Sequence, residues 1–227
     1  MILAAARYVA CRHLVNGKMQ DYHRSVTQPA PAHPYHHGDL RRALLEAAEQ
    51  MIRESGPASL SLREIARKVG VSHAAPTHHF KDKTGLLTAI AAEGYRRLGE
   101  SLRGAYGSTG SFLEVGVAYV RFALAERPYF EVMFWPDLYR RDDPEVVAAL
   151  GTVDDTVFGA IRTMLGPGQE DRVQTAGVAA WSLVHGLAML TINGNLPPEL
   201  VADPEGLTRT IGAAAFRGPG RAPDATT

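Results

Sequence analysis

The residues best able to do chemistry in this chain lie between Ser61 and Lys83, and the chemistry they suit is contact with a polyanion. Ser61 and Ser72 stand where helices should begin, so each sets a hydroxyl beside free backbone N–H groups, a ready seat for a phosphate oxygen. Lys83 falls in the first turn of a further helix, where a cation opposes the helix dipole; a phosphate partner would account for it. Between them His73, Thr77, His78 and His79 put polar groups on one short segment. Ala74 and Ala75 are small enough for the backbone to approach base edges, and their methyls can touch thymine methyls. With Arg63, the candidate nucleic-acid contacts are Ser61, Arg63, Ser72, His73, Ala74, Ala75, Thr77, His78, His79 and Lys83. Five histidines in this part of the chain (His36, His37, His73, His78, His79) raise a metal site as an alternative. Adjacent histidines on a helix point about 100° apart, and no carboxylate sits at ligand spacing, so no metal is expected.

Such residues need short, closely crossed helices to hold them. Leu40, Ala43, Leu44, Ala47, Ala48, Met51 and Ile52 recur with helical period, with Arg41, Arg42, Glu49 and Arg53 opposite. Gly56-Pro57 ends that helix. Ser61 followed by Glu64 reads as a capping box opening a second helix over Ser61–Lys68. Gly70 closes it, because glycine accepts the left-handed turn at little cost. Ser72 can cap a third helix, and Asp82 a fourth running through Leu86, Leu87, Ile90, Tyr95 and Leu98. Leu62, Ile65, Val69 and Val71 can form the small core under the crossing, Ala66 allows close approach, and Phe80 can plug the base. Two short helices joined by a tight turn at Gly70 make a helix-turn-helix.

On these motifs Tyr35–Leu98 resembles the DNA-binding domain of the TetR family of regulators. The matching features are YHHGDLR, the block LSLREIARKVGVS, the HHF closing the third helix, and KDKTGLL after it. The resemblance implies phosphate contacts from Ser61, Ser72, His78 and Lys83, and groove contacts from His73, Ala74, Ala75 and Thr77. Thr77 departs from the family pattern, which usually has an aromatic there, most often tyrosine. Pro76 falls about four residues after the Ser72 cap, where proline removes at most the first internal hydrogen bond.

The second half carries helical patterns over about 111–126, 128–135, 144–165, 169–193 and 203–216, the last opened by Asp203-Pro204-Glu205. Residues 104–217 resemble the regulatory half of a TetR subgroup marked by Trp-x-x-x-His-Gly, here Trp181 to His185 and Gly186. That implies dimerisation and sensing of an effector, a small apolar or amphipathic molecule, and the candidate contacts are Phe112, Tyr119, Phe130, Phe134, Trp181 and His185. Each aromatic taken singly fits a core better than a pocket wall, and His185, four residues after Trp181, fits a buried, hydrogen-bonded side chain better than a ligand contact. Val173, Gly177, Ala180 and Val184, with Leu207, Ile211, Ala214 and Ala215, are the expected faces of a homodimer interface.

The expected architecture is all-α: a disordered leader over 1–34, a three-helix helix-turn-helix DNA-binding domain over 35–103, a larger helical regulatory and dimerisation domain over 104–217, and a disordered tail over 218–227. No sustained period-two run suggests a strand. With 45% hydrophobic and 21% charged residues the chain can bury a real core. Net charge is zero overall, yet residues 35–103 carry +3 and residues 104–217 carry −6, the asymmetry expected if one part meets a polyanion. The apolar stretch Met1–Ala6 is too short for a signal core, and Cys11, the one cysteine, allows no disulfide framework. No apolar run reads as a membrane span, so a cytoplasmic, nucleoid-associated location is expected. No serine or cysteine elbow, phosphate loop or zinc signature accompanies Asp154-Asp155 and His185, so neither an enzyme nor a cofactor is expected. The function expected is a sequence-specific regulator, a repressor of a palindromic operator released by its effector. An effector-independent DNA-organising or interaction protein is the alternative.

Overall fold

The computed structural model describes residues 37–216; the expected leader and tail lie outside them. Nine α-helices and no strands make up the described residues: α1 (His37–Ser55), α2 (Leu62–Val69), α3 (Ala74–Phe80), α4 (Lys83–Thr109), α5 (Phe112–Ala125), α6 (Arg127–Met133), α7 (Pro144–Leu165), α8 (Glu170–Ile192) and α9 (Pro204–Phe216). Short 3-10 turns at Pro57–Ser59 and Pro136–Leu138 follow α1 and α6.

α1 buries Leu44, Ala47, Ala48 and Ile52, the stripe its period marks. α2 starts at Leu62, one residue after the expected capping box, and the Ser61 hydroxyl makes no cap bond. The start is held by hydrophobic contact instead. Leu60, just before the cap, and Ile65, in the first turn beyond it, are both buried in one core, the arrangement of a hydrophobic staple. Gly70 ends α2 in the left-handed region (φ 75°, ψ 31°), and the Val71 N–H returns to the Ala66 carbonyl at 3.0 Å. The turn into α3 begins at the carbonyl of Ser72, not its hydroxyl: it accepts from Ala75 N–H at 3.0 Å, with His73 already at helical dihedrals.

α4 is the spine. Asp82 caps it by accepting from Gly85 N–H at 2.6 Å, and it buries Leu86, Leu87, Ile90, Tyr95, Leu98 and Leu102 along its length. The expected division between 103 and 104 falls inside this helix, because Gly104 and Gly107 are carried as ordinary helical positions up to the left-handed cap at Gly110. One apolar core runs without interruption from Leu44 on α1 to Ala188 on α8. Polar ties cross the same junction. Tyr129 on α6 donates to Glu49 on α1 at 3.1 Å. The Arg97 guanidinium on α4 lies 4.4 Å from the Tyr129 ring centre and bonds Glu126 at 3.0 Å.

α8 corrects one expectation. Val173, Gly177 and Ala180, expected at a dimer interface, are buried within the protomer, where α8 meets α5 and α7. Val184, on the same stripe, closes on Gly116 of α5. The outward stripe is the opposite one, with Val178 (49% exposed), Ser182, Met189 and Leu190. Apolar residues thus occupy both faces, and by length and composition α8 is apolar enough to cross a membrane. α9 lays Thr208 and Gly212 against α5 and leaves Ala214 and Ala215 exposed, with Leu207 and Ile211 half-buried.

Candidate nucleic-acid interface and ligand cavity

α3 is fixed from beneath by Pro76 and Phe80, both buried, and by α2 and α4, which it contacts. His73, Ala74, Thr77 and His78 are exposed together on its free side, while Ala75 and His79 are half-buried. Pro76 faces inward and is the third residue of α3, within the first turn whose N–H groups have no partner inside the helix, so its missing donor costs little. Arg63 and Ser72 are exposed and Ser61 is half-buried. Lys83 has a local partner that the sequence did not show: its ammonium donates to the Ala58 carbonyl at 2.6 Å, tying the start of α4 to the turn after α1.

The exit from α3 is tight. Lys81 takes a positive φ (69°, ψ −56°), and Asp82 N–H bonds the Phe80 carbonyl across it at 2.8 Å, a strained γ-turn. Gly85 lies so near that carbonyl that a Cβ would strike it. Asp82 uses both carboxylate oxygens, one for the cap and one for the Arg140 guanidinium at 2.7 Å. The Gly85 N–H bond first, and Arg140 behind it, hold the Asp82 carboxyl below its usual range. Arg140 also gives its backbone N–H to the buried Thr88 hydroxyl at 3.0 Å. The segment after α6 thus grips the helix that follows α3.

In the second half an apolar cavity of about 260 Å³ opens between α4, α5, α7, α8 and α9. Of the expected effector contacts, Phe112, Tyr119 and Trp181 line it. Phe130, Phe134 and His185 do not; they form an aromatic stack behind that wall, with Phe134 4.7 Å from Phe130 and 4.6 Å from His185 between ring centres. Sequence reasoning missed Leu102, Val153, Val157 and Met164 as lining residues, because they read as ordinary core positions on α4 and α7.

Trp181 Nε1–H donates to the Tyr119 oxygen at 3.3 Å, and the Tyr119 hydroxyl lies 2.9 Å from His185 Nδ1. An indole can only donate, so Tyr119 accepts from it, and the direction of the bond between the Tyr119 hydroxyl and Nδ1 follows the histidine tautomer. Burial lowers the His185 pKa to about 4 and keeps the ring neutral at pH 7. A histidine whose folded pKa is depressed binds fewer protons folded than unfolded, so stability falls as pH drops from about 6.5 towards 4. We expect a loss of about 2 kcal/mol between pH 7 and pH 5 from this group. Denaturant titration of wild type and His185→Gln should show it as a difference in slope; parallel curves would mean the ring titrates normally.

A tight helix-turn-helix head is joined by a shared spine to a larger helical body that holds the cavity. Residues 44–90 match the family model for bacterial regulatory proteins of the tetR family, and residues 112–214 match the tetracyclin repressor-like C-terminal domain. A protein of unknown function from Rhodococcus sp. RHA1 has the same fold, with 34% identity and a TM-score of 0.70 over 82% of this chain and 98% of that one. The TetR-family regulator PfmR from Thermus thermophilus superposes with a TM-score of 0.61 at 21% identity, over 78% of this chain and 99% of that one. The regulator BetI of Yersinia pestis is 38% identical over 63 residues, 28% of this chain; the chain spans 32% of the length of that relative. The protein belongs to the TetR family of bacterial transcriptional regulators.

Proposed function

We propose that the protein is a homodimeric repressor that reads a palindromic operator with α3 and leaves it when a small molecule fills the cavity. The observation that carries this is the head itself: α3 presents His73, Ala74, Thr77 and His78 outward from a base locked by Pro76 and Phe80. In this reading His73, Ala74, Ala75 and Thr77 meet the groove, Ser61, Ser72, His78 and Lys83 meet phosphates, and Arg63 and the half-buried His79 stand beside them. Two heads are needed, since one buries too little surface to select a site in a genome. The outward apolar stripe of α8, with the free side of α9, supplies a face for a second copy. Such a regulator works in the cytoplasm on the nucleoid. The Trp181, His185 and Gly186 pattern supports membership of the subgroup that the motif marks.

Release would follow a physical path. Trp181 and Tyr119 on the cavity wall touch Phe134 and His185 behind it, Phe134 ends α6, and the segment after α6 holds Asp82 and Thr88 through Arg140. An occupant that displaces the wall can move the start of α4, and with it the spacing of the heads. An effector-independent DNA organiser would have no use for the cavity.

Two substitutions test the interface. Lys83→Ala should weaken binding to every duplex by a similar factor and lower the salt slope by about one unit. Its lost bond to Ala58 is exposed and should barely move the melting temperature. Unchanged affinity and slope would remove Lys83 from the phosphate contacts. Thr77→Tyr, at an exposed position, should change stability by less than about 0.5 kcal/mol and leave operator binding equal or tighter. Weaker operator binding by the folded variant would show that a ring does not fit the groove there.

A further inference from the structure

The cavity has very little to offer a polar ligand. The Tyr119 hydroxyl is engaged with His185 Nδ1 and accepts from Trp181. Thr208, the other hydroxyl on the wall, donates to the Pro204 carbonyl at 2.7 Å. No lysine, arginine or histidine is among the lining residues. Asp154, the one ionic side chain there, has an interaction of its own and carries the wrong sign for an anion. His185 lies behind the wall and is neutral, so it supplies no positive charge either. What remains is aromatic and aliphatic surface from Phe112, Phe158, Trp181 and Phe216, with Val157 and Met164 beside them.

Resting on the reading of this cavity as the ligand site, we propose that its ligand is a hydrocarbon-like ring molecule without negative charge and that anionic lipids, aromatic acids and other carboxylates are excluded. The selection comes from desolvation. An anion entering the cavity would lose much of its hydration shell and gain no counter-ion, whereas an apolar ring gives up no hydrogen bonds to water and gains contact with the wall.

Two dyes that share an anilinonaphthalene framework separate these cases: neutral phenylnaphthylamine and the sulfonate anilinonaphthalene sulfonate. Full-length protein is titrated with each and fluorescence is read. Ala213→Trp, at a half-buried position on α9, and Val157→Trp, from the wall on α7, are two independent ways to fill the space, and only binding lost in a folded variant counts as cavity binding. We expect the neutral dye to bind at least about tenfold more tightly in the cavity than the sulfonate, and its binding to drop by a similar factor in either variant. Cavity binding of the sulfonate as tight as that of the neutral dye would overturn the exclusion of anions and leave the ligand site standing. No binding of the neutral dye, or binding that both folded variants leave intact, would overturn the cavity as the ligand site, and the proposal with it.

Discussion

Val178→Glu is expected to give a folded monomer that no longer holds an operator. Val178 is 49% exposed on the outward stripe of α8, so the substitution leaves the protomer core untouched. In a two-fold dimer the new carboxylate would be buried and would meet its own copy, at a cost of several kcal/mol. Light scattering should report the monomer mass, and operator affinity should fall by more than about a hundredfold once the heads are no longer joined. Ile211→Glu on α9 should act in the same direction, less cleanly, because Ile211 is half-buried against its own subunit. A Val178→Glu protein that stays dimeric and binds tightly would remove α8 from the interface.

Ile65→Ala should separate the two modules. Ile65 is completely buried under the crossing of α2 and α3 and is half of the staple that starts α2. Removing three carbons there should cost about 2–5 kcal/mol, a drop of roughly 5–15 °C in melting temperature. The loss falls on the head, so operator binding should weaken sharply. Binding of phenylnaphthylamine in the cavity, which Ile65 does not line, should not change at 25 °C. A stability change under about 1 kcal/mol would mean that position 65 is not in the core.

How much of this was legible in the sequence depended on whether the signal was local. Helix ends were, since Gly70, Asp82, Asp203 and Pro204 act on their own neighbours; the ends of α5 to α9 lie within two residues of the periodic reading, and those of α7 coincide with it. The Ser61 box was a local signal that lost to a tertiary one, because Leu60 and Ile65 fix the start of α2 before the hydroxyl is needed. The faces of α8 were not legible at all. A helix apolar all round has no moment to say which stripe is inside, and only the neighbours α5 and α7 decide it. The same limit applies to the aromatics: Tyr119, Trp181, Phe134 and His185 form one stack, and which of them end at a cavity depends on how α4, α7 and α9 close around it. Lys83 read as an unexplained cation because its partner, Ala58, lies 25 residues back. The γ-turn at Lys81 carries no sequence signal, since nothing in a lysine favours positive φ.

The measurement that bears most directly on the DNA-binding reading is selection of duplexes from a random pool by the purified protein, followed by sequencing. An enriched palindrome is expected, with half-sites about one helical turn, or a multiple of it, apart, with His73→Ala and Thr77→Ala changing the preferred bases and Lys83→Ala changing only affinity. A pool that returns no preferred sequence, or one whose preference survives changes on α3, would contradict that reading.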